Sequence, residues 1–379
     1  MNKTKILYVS ANGYVGGAEQ FVFNALQGHL QSPDFQCELL CFNDGPLLKK
    51  CQHIGIVTYL LPRPFRLSRI HTLLRAMIYL RKFVISNNYK IIHSTMPYSF
   101  IVMFLATCFL NLKHIWFQHG PVGGILDYVA NFFKPDIIYF NSTFLASEHL
   151  KMPLSKRLKH LHKIIHLGIP LSTPDKKKIE ELKLQFKNNK PLLLSAGRIT
   201  PSKGYHTIIE TMKLLVNDYK TEAPQIHLLI IGNTTYFAEE VYLKKLKGLV
   251  TQYQLEKYVT FLNHVDDLYN YMHISNIYIQ ATTIPESFGL AVAEAMAQKC
   301  LVIGPDFGGV KSILKNHETG LSFASNSVNA HTQLAFILKD ILEQKIATNH
   351  LIENAYTQIT NHYSMDQMIK ILEDDYQTL

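Results

Sequence analysis

Acidic residues are absent from Gly45 to Leu126, a stretch that holds ten lysines and arginines between Lys49 and Lys113. Cysteines are few. The five present (Cys37, Cys41, Cys51, Cys108 and Cys300) are odd in number and show no C-x-x-C spacing, which excludes a disulfide framework and a zinc site of the usual pattern. Long apolar runs are also missing. The most apolar stretch, Phe100–Leu110, falls short of the roughly 20 residues a spanning helix needs and reads as a buried helix. The amino-terminal sequence MNKTKILYVSANGYVGG enters a strand pattern directly, without the apolar core of a signal peptide, so a cytoplasmic location is expected. No short internal repeat is apparent.

What is present is enough for two domains. The 379 residues are 47% hydrophobic and 18% charged, the balance of a globular chain with an ample core. Apolar strand-like runs at Lys5–Tyr8, Gln36–Phe42, Ile56–Leu60, Lys90–His93, His114–Phe117, Ile137–Phe140 and Lys163–Ile165 alternate with helical stretches. That alternation predicts an α/β fold with a parallel sheet covered by helices on both faces. Gly168–Lys178, with two prolines and a charge run, reads as a linker. A second series follows, with strands at Leu192–Ser195, Ile226–Ile231, Val259–Leu262, Ile277–Gln280 and Leu301–Ile303. Ser364 is a good N-cap for a last helix, Met365–Tyr376. The expected division is residues 1–170, residues 171–360, and a closing segment 361–379.

The stretch Ile284–Gly309 carries the densest signal. Leu290–Gln298 is rich in helix formers, and Pro285, Ser287 and Gly289 just upstream are loop and helix-start residues, so a helix should begin near Phe288 or Gly289. Its first amides and the positive end of its dipole suit a phosphate, and Gly289 allows close approach to the backbone. Glu286 lies before that helix and Glu294 inside it, so both can border one ligand; a pair of solvated surface glutamates would read the same way. Three further segments invite chemistry. Gly16 and Gly17 sit in a turn between a strand and a helix, as phosphate loops do and as many ordinary turns do. His119, in Gln118-His119-Gly120, falls at a strand's carboxyl end, where open α/β sheets bind ligands, although a structural histidine fits equally. Gly197-Arg198 and Lys203-Gly204 place two cations after the first strand of the second half, a fork and a mobile point charge suited to a diphosphate or to a plain surface loop.

Taken together and in order, Gly16-Gly17-x-Glu19, His119, Ile165-His166-Leu167-Gly168-Ile169-Pro170, Gly197-Arg198 with Lys203-Gly204, and Glu286-x7-Glu294 with Gly308-Gly309 resemble the retaining GT-B glycosyltransferases of family 4, the group 1 glycosyltransferases. The resemblance implies two Rossmann-like doubly wound domains facing an interdomain cleft, with the last helix returning to the first domain. It implies an enzyme that moves a hexosyl or N-acetylhexosaminyl group from a nucleotide-diphosphate donor to a hydroxyl of a glycan or lipid-linked acceptor, with retention, in cell-surface polysaccharide or lipopolysaccharide assembly. The donor would be a UDP-sugar ahead of a GDP-sugar, and no cofactor is expected. By resemblance, Arg198, Lys203, Gly197 and the helix start at Ser287, Phe288, Gly289 and Leu290 hold the diphosphate, Glu294 the ribose, the segment around Val265 the base, and Glu286 the donor sugar. Gly16 and Gly17 would approach the phosphates, and His119 would reach the transferred sugar. The chain departs from the family's pattern at His166 for asparagine, His264 for glycine and Lys311-Ser312 for Pro-Glu. A GT-B-fold nucleotide-sugar epimerase and a non-catalytic nucleotide-sugar-binding subunit remain as other readings of the same motifs.

The net charge of +9 is unevenly divided: residues 1–170 hold 18 lysines and arginines against 7 acids, while the remainder holds 20 against 22. The spacing predicts a helix over Leu73–Val84 with Leu73, Met77, Leu80 and Val84 on its buried stripe and Arg75 and Lys82 opposite. Such a basic first domain suits an anionic membrane surface on the inner face of the plasma membrane; no nucleic-acid module accompanies the charge, so nucleic acid is not expected as a partner. No Asp-x-Asp sequence occurs, so no metal clamp on the diphosphate is expected and the cations Arg198 and Lys203 take that part. The prediction is that transfer survives chelation: activity in EDTA should stay close to that in Mg²⁺ or Mn²⁺, and loss in EDTA with recovery on adding metal would refute it.

Overall fold

A computed structural model describes residues 3–14, 16–187, 191–218 and 226–379. The chain divides into two compact units, Met1–Gly168 with Ser364–Leu379, and Ile169–Tyr363. Among the described residues, each unit is built on one wholly parallel sheet.

In the first unit the strands are β1 (Thr4–Ser10), β2 (Phe35–Cys41), β3 (Thr58–Leu60), β4 (Ile91–Thr95), β5 (Lys113–Gln118), β6 (Ile137–Phe140) and β7 (His162–Ile164), in the order β3-β2-β1-β4-β5-β6-β7. Their near-continuous apolar runs follow from burial on both faces: Ile6, Leu7, Tyr8 and Val9 are all buried, as are Ile115, Trp116 and Phe117. Crossovers between parallel strands are right-handed. The helices Ile70–Ser86, Met96–Thr107 and Ile125–Ala130, which link β3 to β4 to β5 to β6 in one direction, therefore cover one face side by side. The helices Gly17–Gly28 and Pro46–His53, which link strands running the other way, cover the opposite face.

The last helix, Met365–Thr378, packs on Gly17–Gly28 and is capped by the Ser364 hydroxyl, which accepts from the amide of Gln367. Its end is tied into the first sheet by buried polar contacts. The Tyr376 hydroxyl lies 2.6 Å from that of Tyr8 and 2.7 Å from Nδ1 of His93, and Tyr139 donates to Asp375 at 2.6 Å. Lys163 pairs with the same Asp375 carboxylate. Gly168 marks the seam with that helix: a Cβ there would meet Met365 Cα at 2.9 Å.

In the second unit β8 (Leu192–Ala196), β9 (His227–Ile231), β10 (Val259–Leu262), β11 (Ile277–Ile279), β12 (Leu301–Pro305) and β13 (Leu321–Phe323) run in the order β10-β9-β8-β11-β12-β13. The three-residue β13 has no counterpart among the expected strands, being too short to carry an alternation. The chain order reverses between β8 and β11 here and between β1 and β4 in the first unit, and such switch points open a crevice at the strands' carboxyl ends.

Tyr376→Phe should leave the hydroxyl of Tyr8 and Nδ1 of His93 without their shared partner and lower stability of the first unit by about 1–3 kcal/mol. Hydrogen exchange of the β1 amides would show the loss; unchanged protection would contradict the role given to Tyr376.

Candidate active site

The second unit gathers its chemistry at the β8/β11 switch point. Gly197 follows β8, and its amide bonds the carbonyl of Ile231 at the end of β9. The chain then passes Arg198 and the short turn Pro201–Lys203 to Gly204, whose φ of +68° and missing side chain are both required, since a Cβ there would meet the Ala281 carbonyl oxygen at 1.8 Å. The loop after β8 is thus pressed onto the loop after β11. Two bonds clamp it there: the carbonyl of Ser202 accepts from the amide of Thr283 at 2.8 Å and from the hydroxyl of Thr282 at 2.9 Å.

This docking brings Lys203 to Glu286, with Nζ 2.5 Å from Oε1. Arg198, more than half exposed, is held from the other side by Glu239, Nε to Oε1 at 3.4 Å. Glu239 is itself fixed, because its second oxygen accepts the amides of Thr235 at 2.6 Å and Tyr236 at 3.3 Å at the start of the helix Phe237–Gln252. Glu239 went unnoticed in the sequence. Its signal was a glutamate in the first turn of a helix, which by itself says only that it caps.

The expected helix start is present as Leu290–Ala297 with Gly289 at the N-cap. Gly289 has φ +102°, and a Cβ on it would meet Cγ2 of Val310 at 2.8 Å, so packing against the loop after β12 demands this glycine as much as any ligand does. The amide of Gly309 donates to the Glu286 carbonyl at 2.7 Å, which ties the double-glycine loop to the glutamate. Phe288 is buried, with its ring 6.1 Å from that of Tyr363, so its side chain belongs to the core and only its backbone serves the loop. Ser287, Leu290 and Val265 are half-buried. Val265 lies in the loop after β10, beside His264, whose amide is held by the side chain of Asn233 at 2.9 Å. At the atypical Lys311-Ser312, the Ser312 hydroxyl closes the turn by donating to the Gly309 carbonyl at 2.6 Å.

Glu294 keeps part of its surface exposed, but burial of its carboxyl raises the pKa from 4.5 to about 7, with the Tyr269 hydroxyl donating at 3.1 Å as the opposing influence. Tyr269 was not foreseen, because it comes from a separate helix, Leu268–Ile274. Glu294 is thus poised between an acceptor-only carboxylate and an acid that also donates.

In the first unit, Gly16 and Gly17 are exposed at the start of Gly17–Gly28, and the amide of Gly16 donates to Glu19 Oε2 at 3.1 Å. His119 follows β5 and is buried, its ring stacked on Phe117 at 3.8 Å between centroids and tilted against Phe21. Neither ring nitrogen has a partner among the described residues, and burial pushes the pKa down to about 3. A neutral imidazole of this kind suits a hydrogen bond to an uncharged hydroxyl better than a charge interaction. Its loop is braced by Gln118, which donates to Asp127, which in turn accepts the amides of Gly123 and Gly124.

Two cations, a helix start and a half-buried glutamate thus gather at the switch point of a doubly wound sheet. Residues 176–358 match the model of the glycosyl transferases group 1, and residues 15–167 that of Glycosyltransferase Family 4. The chain belongs to this family and is a glycosyltransferase. Among its relatives are the Bacillus subtilis protein YtcC, 22% identical over 96% of this chain and 88% of YtcC, and the lipopolysaccharide 1,2-N-acetylglucosaminetransferase of Salmonella typhimurium, 22% identical over 68% of each chain. The fold is similar to that of Anabaena Alr3699/HepE, solved in complex with UDP: TM-score 0.86 at 20% identity, over 99% of this chain and 100% of that one.

Because the folded pKa of Glu294 stands above 4.5, the folded chain holds this proton more tightly than the unfolded one, and the associated stability is lost as the pH rises through about 7. Glu294→Gln keeps the neutral form at every pH. Its unfolding midpoint relative to the parent should therefore climb between about pH 5 and pH 8; a pH-independent difference would count against the burial of this carboxyl.

Proposed function

We propose that the protein transfers a hexosyl or N-acetylhexosaminyl group from a UDP-sugar to a hydroxyl of a glycan or lipid-linked acceptor, with retention, working from the cytoplasm at the inner face of the plasma membrane in cell-surface polysaccharide or lipopolysaccharide assembly. The observation that carries the reading is the pair Lys203–Glu286 beside Arg198 at the β8/β11 switch point. The lipopolysaccharide transferase among the relatives and the UDP complex of a similar fold support the choice of donor and pathway class.

In this reading the charge that builds on the leaving diphosphate is met by Arg198, Lys203 and the amides at the start of Leu290–Ala297. Glu286 faces the donor sugar, where positive charge develops on the ring. Glu294 accepts from the ribose hydroxyls, whose hydrogen bonds to the carboxylate lower its pKa. His119 donates to or accepts from a sugar hydroxyl without changing charge. Glu286 is paired with Lys203, and no other carboxylate among the described residues is placed at the donor sugar, which favours a front-face route to retention.

Arg198→Ala, Lys203→Ala and Glu286→Ala should each lower kcat/KM by at least about 10²-fold. All three are partly exposed, so the unfolding midpoint should move little. A panel of UDP-, GDP- and ADP-sugars read by thermal shift would identify the donor, since a tight binder stabilises by mass action. Near-normal transfer by all three variants would remove the site assignment.

A further inference from the structure

Arg198 and Lys203 are each met by a glutamate, but the two glutamates are built differently. Glu286 belongs to a loop, and it is its backbone carbonyl, not its carboxylate, that takes the Gly309 amide. Glu239 is nearly buried, and both of its carboxylate oxygens are engaged. Oε2 accepts the amides of Thr235 and Tyr236, which leaves Oε1 for Nε of Arg198 at 3.4 Å. A carboxylate anchored twice to its own helix start cannot follow a moving guanidinium; the guanidinium has to come to it.

The backbone at both ends of this contact is locked as well. A Cβ on Gly232 would meet the Gly197 carbonyl oxygen at 1.9 Å, so the loop after β9 lies directly on the loop after β8. The Ile199 amide, next to Arg198, donates to the Asn233 carbonyl at 3.0 Å. Asn233 also takes the His264 amide on its side-chain oxygen at 2.9 Å, so the same loop braces the segment after β10. The loop after β9 thus does for Arg198 what the loop after β11 does for Lys203.

Where Glu239 grips the arginine matters. A guanidinium is a rigid plane with five N–H donors, one on Nε and four on the two terminal nitrogens. Among the described residues Arg198 has no other ion-pair partner, so the contact at Nε leaves the terminal edge for a ligand, and that edge can span two phosphate oxygens. By charge alone Glu239 is a hindrance, because a carboxylate beside a diphosphate repels it and its removal should tighten binding. Its construction argues the reverse. An untethered arginine has many rotamers to give up when a ligand binds, and a tethered one has few.

We propose that Glu239 is a positioning residue of the donor site: fixed by its own helix start, it holds Arg198 at Nε and aims the terminal nitrogens at the diphosphate. The proposal rests on the donor reading above and adds a division of labour to it. Glu286 competes with the diphosphate for its lysine, whereas Glu239 keeps its arginine throughout and supports it.

The test is calorimetric titration of UDP into the intact protein and its variants, with steady-state transfer alongside. Glu239→Gln keeps an oxygen for the Thr235 and Tyr236 amides but turns a donor toward Arg198, and Glu239→Asp keeps the charge but shortens the reach by one methylene. Each should weaken UDP binding and lower kcat/KM by about tenfold. In the Arg198→Ala background Glu239→Gln should cause no further loss, because Glu239 acts through the arginine. A merely structural residue would give additive losses, which would overturn the proposal. Tighter UDP binding by Glu239→Gln would overturn it too, since charge would then outweigh placement. Should Glu239→Gln fold poorly, as its melting would show, Glu239→Asp decides, and parent-like UDP affinity there would count against the tether. UDP bound by the parent and lost in Arg198→Ala, with both Glu239 variants parent-like, would remove this inference and leave the donor reading standing. UDP that does not bind the parent would remove the donor reading and the inference with it.

Discussion

At the β8/β11 switch point each of two cations is held by a carboxylate. Arg198 leans on Glu239, which two backbone amides anchor, and Lys203 leans on Glu286. Partly exposed pairs of this kind contribute little to stability, about 1 kcal/mol or less, so under the proposed reading exchanging the carboxylate for a diphosphate would cost the fold little. The two carboxylates differ in how they are held. Glu239 is nearly buried and bonded to its own helix start, whereas Glu286 lies in a loop and is half-buried. The close approach of Gly204 to the Ala281 carbonyl underlies the Lys203–Glu286 pair, because it fixes how far the loop after β8 can stand from the loop after β11.

The first unit carries its constraints differently. Its core is closed by aromatic rings and a few buried polar contacts that stitch the last helix to β1, β4 and β6 through Tyr8, His93, Tyr139, Tyr376 and Asp375. His119 stands apart from that network, with unpartnered ring nitrogens. Leaving buried polar atoms unpaired is unfavourable by about 1–3 kcal/mol for each. Met96, just after β4, also has a positive φ at the sheet's carboxyl edge.

Much of this was legible in the sequence, and the remainder shows where reading a chain one residue at a time stops. Buried parallel strands announce themselves as apolar runs, so Ile137–Phe140 and Val259–Leu262 were placed with their observed limits. The helix start at Gly289 followed from helix formers meeting loop residues. What escaped depends on neighbours distant in sequence: Glu239 on Arg198, Tyr269 on Glu294, Val310 against Gly289. Burial was harder still. The inner stripe of Ile70–Ser86 was predictable from its period, as was the exposed basic face of Arg75 and Lys82 opposite it, but the exposed flank of Ile70, Leu74, Ile78 and Ile85 between them was not. Phe288 illustrates the converse, a motif residue whose side chain turns into the core.

Under the proposed reading Lys203 leaves Glu286 for the diphosphate, and calorimetric titration of UDP, which lacks the sugar, into the parent and into Glu286→Gln tests this most directly. If Lys203 is neutralised by Glu286 until the nucleotide arrives, Glu286→Gln should bind UDP as tightly as the parent or more tightly, because the cation no longer has to be released. A fall in UDP affinity on making Glu286→Gln would contradict the account, since it would mean that the glutamate positions the lysine for the diphosphate instead of competing with it.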